Sequence, residues 1–338
     1  RDAQESRGLG DVYKRQIQLF YYKFTETPLL KRMDAVKDYF IDSWETLKGR
    51  NISEDDQEML QMKFDKMYTT KDIYTIYNWM LDDCGCDLLP EVPYEKRKLP
   101  YEDVFPMLYL KYRLSGGNST HKNIKHLVID EMQDYTYLQY TILESLFHCR
   151  MTILGDRAQT LDTKQQDVLR FLPKLLGREI RTIEIKKSYR NTLEIARYAE
   201  KVSGVSDLEL LDRHGKEVVE KTFNTDTELL DELVCHLKCP GDFETAALIT
   251  TTEEEAFDLS RLLKLRGINV SYVDRNSSAF KKGLTVTTFY LAKGLEFDQV
   301  FALRGAKENP LKNQAEYICA TRALHELYVY EIADSLSK

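Results

Sequence analysis

Two adjacent carboxylates, Asp130 and Glu131, followed by the amide and acid of Gln133 and Asp134, close the apolar run Ile124-Lys125-His126-Leu127-Val128-Ile129. Such a run reads as a buried parallel strand, and the carboxyl end of a strand is where an α/β sheet places its chemistry. Acids at that tip are hard oxygen ligands suited to a phosphate-bound magnesium ion, and a second carboxylate beside the first can orient and deprotonate a water. Taken alone, the pair is equally at home capping a helix start or facing solvent.

Four further blocks follow in one series: Gly155-Asp156-Arg157-Ala158-Gln159 after a second apolar strand, then Lys187-Ser188-Tyr189-Arg190-Asn191, then Thr288 to Asp298, then Tyr317 to Leu324. In this order the blocks resemble motifs II to VI of the superfamily 1 helicases of the UvrD/Rep type, over roughly residues 101–330. Tyr290 stands where UvrD itself usually has histidine. With Tyr109-Leu110-Lys111 upstream and Thr321-Arg322-Ala323-Leu324-His325-Glu326-Leu327 near the end, it resembles the HelD branch. HelD proteins use ATP to help strip bacterial RNA polymerase from nucleic acid. The resemblance therefore implies an α/β fold of two RecA-like parallel-sheet domains, the first incomplete, preceded by a helical segment. It implies ATP and Mg2+ as cofactors, and DNA and RNA polymerase as partners.

The resemblance also distributes roles. Asp130 would hold magnesium and Glu131 would activate the attacking water. Gln133 and Gln159 would sense the γ phosphate, and Asp134 would couple that site to the neighbouring strand. Arg190 and Arg322 are the candidate arginine fingers, since a guanidinium fork suits phosphate oxygens better than a lysine point charge. Tyr189 would stack on adenine, Glu296 would accept from the ribose hydroxyls, and Gly294 belongs to the same nucleotide-binding set. Thr288, Tyr290 and Lys293 would couple the nucleotide site to nucleic acid, Tyr290 by stacking on a base. For the acids and amides the alternative is helix capping and loop hydrogen bonding. For Tyr189 and Tyr290 it is packing in a core.

No Gly-x-x-x-x-Gly-Lys-Ser/Thr loop occurs in the 338 residues. Such a loop would cradle the β and γ phosphates with backbone amides and a lysine. Ser115-Gly116-Gly117-Asn118-Ser119-Thr120 lacks the lysine and reads as a flexible turn. In the family the phosphate loop lies far upstream of the acidic motif, so the expectation is a carboxyl-terminal fragment that hydrolyses ATP poorly by itself. Residues 1–16 are polar and without periodicity, and read as a foreign or disordered tail.

The remaining sequence sets the frame. A chain of 338 residues with 43% hydrophobic content can bury sizeable cores in about two domains. No apolar run approaches a membrane span. The six cysteines, among them Cys84-Gly85-Cys86 and the pair Cys235 and Cys239, lack the histidines or second pairs of a zinc site. Reduced thiols and a cytoplasmic location are expected. A net charge of −7 argues against a protein that coats nucleic acid, while leaving room for a local cationic groove or a protein partner.

Residues 17–100 show helical periodicity and no motif. Ser53 with Asp56 resembles a capping box opening a helix with Met59, Leu60, Met62, Phe64 and Met67. Leu81 to Pro100 reads as a connection. The segment is either the end of an inserted arm of the HelD type or a plain helical subdomain. Residues 101–180 are assigned to a partial first RecA-like domain, with strands ending at Asp130 and Leu154. Residues 181–338 are assigned to the second. It begins with a strand Arg181 to Ile185 and continues through Ala246 to Ile249, Leu284 to Thr288, Gln299 to Leu303 and Leu327 to Tyr330. Thr252-x-x-Glu255 opens a helix as a capping box. Only 97 residues separate Arg190 from Thr288, which leaves no room for the large domain that UvrD-type helicases insert there, so processive duplex unwinding is not expected. Two other classes stay open at this level: a non-hydrolysing module that grips polymerase or nucleic acid around a vestigial nucleotide site, and a helicase-nuclease. The eight residues after Tyr330 leave no space for a nuclease of that kind.

Overall fold

The computed structural model describes residues 14–116, 121, 123–161, 168–177, 180–204, 209–238, 243–277, 282–305 and 310–333. Most of the expected tail, four residues of the Ser115–Thr120 turn and Cys239 lie outside that set. The chain divides into two compact units. One is Arg1–Leu127 with Thr136–Thr152, and the other is Val128–Tyr135 with Ile153–Lys338.

The first unit is helical: α1 (Arg32–Lys48), α2 (Glu54–Asp65), α3 (Ile73–Asp83), α4 (Tyr101–Ser115) and α5 (Tyr137–Leu146). Ser53 caps α2 by accepting from the Asp56 amide at 3.3 Å. The Asp56 carboxylate accepts from the Ser53 hydroxyl instead of reaching back to the cap amide, so only half of the box forms. The expected apolar stripe on α2 is narrower than its sequence suggests. Leu60 and Phe64, one helical turn apart, join a small core with Leu19, Phe20 and Val36. Met59, Met62 and Met67 are exposed, because they project from other faces or beyond the helix end. A second small core gathers Tyr74, Tyr77, Leu81 and Leu89. From Cys84 to Pro100 the chain forms a single 3-10 turn, Tyr94–Lys96, as a proline-rich connection should.

The second unit is built on a six-stranded, wholly parallel sheet. Its strands are β5 (Val219–Phe223), β6 (Thr245–Thr250), β7 (Ser271–Tyr272), β8 (Gly283–Thr288), β9 (Phe297–Arg304) and β10 (Ala323–Ile332). They lie in the order β5-β10-β9-β6-β8-β7. Side-chain alternation sorts the apolar residues to two faces. Ala247, Ile249, Val300, Ala302, Leu327 and Val329 pack on one face with the helices Leu193–Ser203 and Lys312–Arg322. Leu248, Val286, Phe301, Tyr328 and Tyr330 pack on the other with Asp226–Lys238 and Glu253–Leu265. Burial on both faces explains why these strands read as continuous apolar runs. The fold is mixed α/β with a parallel sheet, in keeping with the RecA-like class expected.

Two short pairs complete the description: β1 (His126–Ile129) with β2 (Arg150–Ile153), and β3 (Lys187–Ser188) with β4 (Glu209–Leu210). The expected strand Arg181 to Ile185 does not form. Ile183 and Ile185 are 69% and 80% exposed, and the ladder starts only at Lys187, where Glu209 supplies a partner. Among the described residues, no helix is long and apolar enough to cross a membrane.

Candidate nucleotide site

The acidic block lies at the tip of β1. Leu154 N donates to Ile129 O and Met132 N to Leu154 O, both at 2.8 Å, which turns the chain sharply after the strand. At the turn, Glu131 adopts a left-handed backbone with φ 53°, the one non-glycine residue to do so among the described residues. That conformation costs an L-residue about 1–2 kcal/mol, and such strain collects at functional sites. The Glu131 amide donates to Asp130 Oδ1 at 2.8 Å. Asp130 itself is exposed.

From Glu131 a chain of hydrogen bonds runs inward. Gln133, buried, donates from Nε2 to Glu131 Oε2 at 2.5 Å and accepts from Asp156 N at 3.0 Å. Gly155 makes this approach possible: a Cβ there would stand 2.5 Å from Gln133 Oε1 and from Met132 Cγ. Asp156 caps the 3-10 turn Arg157–Gln159 by accepting from Ala158 N at 3.0 Å, while its other oxygen accepts from Gln159 Nε2 at 3.0 Å and from the Tyr317 hydroxyl at 2.8 Å. Burial first, then the Asp156 carboxylate, pushes the Tyr317 phenol well above its ordinary value, so it stays a donor. Gln159 Oε1 in turn accepts from Arg322 Nη2 at 3.3 Å.

Arg322 is 3% exposed at the end of the helix Lys312–Arg322, and makes no ion pair among the described residues. It donates to Leu295 O at 3.3 Å. Burial, then the neighbouring Arg190, lowers its pKa, while Glu131, Glu296 and Asp156 oppose that shift. Its guanidinium is held by neutral acceptors, Leu295 O, Gln159 Oε1 and Thr321 Oγ1, and no carboxylate stands in ion-pair reach among the described residues. Lys293 is already satisfied. Its Nζ donates to both Asp134 oxygens at 2.8 and 2.7 Å and to Gln159 O at 3.0 Å, and lies 3.9 Å from Glu131 Oε2.

The remaining expected residues divide. Arg190, half-exposed, pairs with Glu296 at 2.8 Å, so two of the expected nucleotide-site residues are paired with each other. Tyr189 is 65% exposed with Lys187 Nζ 5.6 Å over its ring, which overturns the core-packing alternative for that residue. Tyr290 packs against the sheet core, stands edge-on to Phe289 and donates to Glu253 at 2.9 Å. Thr288 is buried at the end of β8 with its hydroxyl unpartnered among the described residues. Gly294, at φ 77°, closes the turn that leads Lys293 back into β9. Among the described residues no three His, Cys, Asp or Glu side chains are grouped to hold a metal. Asp130, with Glu131 beside it, could supply the one or two protein carboxylates that magnesium carried in on phosphate would need.

Asp156 and Tyr317 received no role from sequence, although both lie in recognised blocks. The usable signal was local: an Asp three residues before Gln159 is placed to cap a short turn. Asn191 was also missed. Buried, its Nδ2 donates to Ala320 O at 3.1 Å and Ala323 O at 2.6 Å, tying the Arg190 turn to the segment that carries Arg322.

No family model and no curated protein matches the chain. Among solved structures, it is similar to the C-terminal domain of a possible DNA helicase from Lactobacillus plantarum WCFS1, with 25% identity and a TM-score of 0.35, over 43% of this chain and 88% of that one. It is also similar to the arterivirus nonstructural protein 10 helicase in complex with DNA, with 17% identity and a TM-score of 0.26, over 36% of this chain and 29% of that one.

Proposed function

We propose that the chain carries the acidic, finger and coupling motifs of an ATP-dependent superfamily 1 DNA helicase or translocase of the HelD-like kind, coupling ATP hydrolysis to movement on nucleic acid or to release of RNA polymerase. One observation carries the reading. A continuous set of hydrogen bonds joins Glu131 through Gln133, Asp156 and Gln159 to Arg322, so the candidate base and a candidate finger belong to one network.

Hydrolysis of a phosphoanhydride needs charge neutralised on the phosphates, a water held in line, and cations that engage in the transition state. Magnesium, when bound with the nucleotide, supplies the first of these at Asp130. Glu131, its carboxylate aimed by the left-handed turn and by Gln133, orients the water and takes its proton. Arg322 offers a buried charge to an incoming anion. Arg190 exchanges Glu296 for a phosphate oxygen, which frees Glu296 for the ribose hydroxyls, and Tyr189 offers an open ring to adenine. Lys293, bonded to Asp134 and the Gln159 carbonyl, links this network to the turn after β8, the route by which occupancy would reach a nucleic-acid surface.

The test is titration of the chain with a fluorescent ATP analogue and magnesium. Saturable binding is expected, weakened about tenfold or more by Arg322→Gln and by Tyr189→Ala, as loss of a charged hydrogen bond or a stacking partner predicts. Glu131→Gln should leave that binding intact. No saturable binding at millimolar analogue would falsify the nucleotide reading and leave a module that grips nucleic acid or polymerase without a catalytic cycle.

A further inference from the structure

Between the end of β3 at Ser188 and the helix that begins at Leu193, residues 189–192 carry the candidate finger and adenine platform without a ladder of their own. We propose that Arg213-His214-Gly215, between β4 and β5, is a strap that positions this turn, with Arg213 the positioning residue for Arg190. The proposal rests on the nucleotide reading for its consequence, though not for its geometry.

Each strap residue grips a different part of the turn. Arg213 O accepts from Leu193 N at 2.8 Å, and Arg213 Nη1 donates to Arg190 O at 3.0 Å, so the backbone is held at the finger's own carbonyl and again three residues on. The other arm of Arg213 donates to His325 Nδ1 at 3.0 Å. An acceptor facing a guanidinium must be unprotonated, which leaves the His325 proton on Nε2, 3.7 Å from Asp298. His214 bridges two carboxylates, Nδ1 to Glu194 at 2.9 Å and Nε2 to Asp212 at 3.0 Å. Glu194 lies in the first turn of the helix after the finger, and its second oxygen accepts from Gly215 N at 2.8 Å. Gly215 lies so close that a Cβ would stand 2.5 Å from Thr192 Cγ2 and 2.9 Å from its Cβ. The β3–β4 pairs, Lys187 with Glu209 and Ser188 with Leu210, anchor the strap just upstream.

The consequence is mechanical. Arg190 is half-exposed, and Glu296 is its only ion-pair partner among the described residues, so its guanidinium must exchange partners while its backbone stays fixed. Misplacing a catalytic group by about 1 Å can cost about a hundredfold in rate, and a turn released from Arg213 would spread the guanidinium over more positions than that. Arg213 touches no reacting atom in this scheme. It acts through Arg190.

The experiment uses the full chain in two readouts: hydrogen–deuterium exchange of the peptide covering Tyr189–Leu193, and titration with the fluorescent ATP analogue and magnesium. Arg213→Met keeps the side-chain stem and removes the donors. It should speed exchange of that peptide about tenfold or more and weaken analogue binding about tenfold, with melting of the whole chain unchanged. Arg213→Lys, able to reach Arg190 O but not His325 at the same time, should fall between. His214→Gln provides an independent surface variant and should speed the same peptide. Unchanged exchange in both Arg213→Met and His214→Gln overturns the strap. Faster exchange with unchanged analogue binding overturns the positioning role. If wild-type chain binds no analogue, the motor reading falls, and exchange alone decides whether the strap holds the turn.

Discussion

Glu131 and Gly155 show how residues of opposite character cooperate at one turn. Glu131 accepts a left-handed backbone that glycine would adopt freely, and Gly155 supplies the space that lets Gln133 reach it. Gly155→Ala must push its Cβ into Gln133 Oε1, Met132 Cγ and the Met132 amide, two of them held by hydrogen bonds. Urea unfolding is expected to show a loss of about 1–3 kcal/mol, accompanied by weaker nucleotide binding. A neutral substitution would mean that the turn is looser than described. His214 adds a pH dependence. Hydrogen bonding to Glu194, then the charge of Asp212, raises its pKa, and the same partnership holds the Glu194 carboxyl down to about 2. The His214 contribution is complete below the ordinary histidine value and lost as pH rises through the raised one. The Glu194 contribution is complete above the ordinary carboxylate range and lost only as pH falls toward 2. The strap should therefore be tightest in mildly acidic solution. Exchange of the Tyr189–Leu193 peptide, corrected for intrinsic rates, should rise as pH climbs past the histidine range, and His214→Gln should flatten that rise.

At the scale of elements, local signals were reliable where they carried their own hydrogen bonds. Thr252 and Glu255 form the full reciprocal box expected from their spacing, Thr252 Oγ1 accepting at 3.2 Å and Glu255 Oε2 accepting from Thr252 N at 3.0 Å. Thr252→Ala should destabilise the second unit by about 1 kcal/mol in thermal or urea melts, while Thr252→Ser should restore most of it. Ser53 with Asp56 failed to complete the same device because the shorter aspartate turned to its own cap hydroxyl. Arg181 to Ile185 alternated correctly for a strand and still formed none. Alternation reports which side chains share a face, but a strand also needs a neighbour in register, and the neighbour appears only at Glu209. The methionines around α2 misled for a related reason: apolar content fixed the helix but not how much of its circumference finds a partner.

At the scale of the whole molecule, the sheet unit draws its core from residues far apart in sequence. Phe301, fully buried in the central strand β9, stacks on Tyr328 at 4.7 Å and meets His236 edge-on at 5.1 Å, joining strand and helix on one face. Phe301→Ala should cost about 3–5 kcal/mol in urea denaturation. Nucleotide affinity should fall only with the folded fraction, because the site hangs from the opposite face and the strand ends. The acidic tip Val128–Tyr135 belongs to the same compact unit as residues 153–338, although strand β1 begins in the other. Its partners, Gly155, Asp156 and Lys293, explain that membership more than its place in the chain does.

What the sequence determined alone was the set of candidate blocks, their order and most strands of the six-stranded parallel sheet. Apolar runs and motif spacing are properties of neighbouring residues, readable without coordinates. Only the tertiary structure decided which charges are already neutralised. Arg190 rests on Glu296 and Lys293 on Asp134, while Arg322 is buried beside an amide and a carbonyl with no ion-pair partner among the described residues. The same holds for Asp156, Tyr317 and the Arg213 strap, whose partners lie up to 161 residues away. A side chain's role depends on what stands within hydrogen-bonding distance of it, and folding sets those distances between residues that sequence keeps apart.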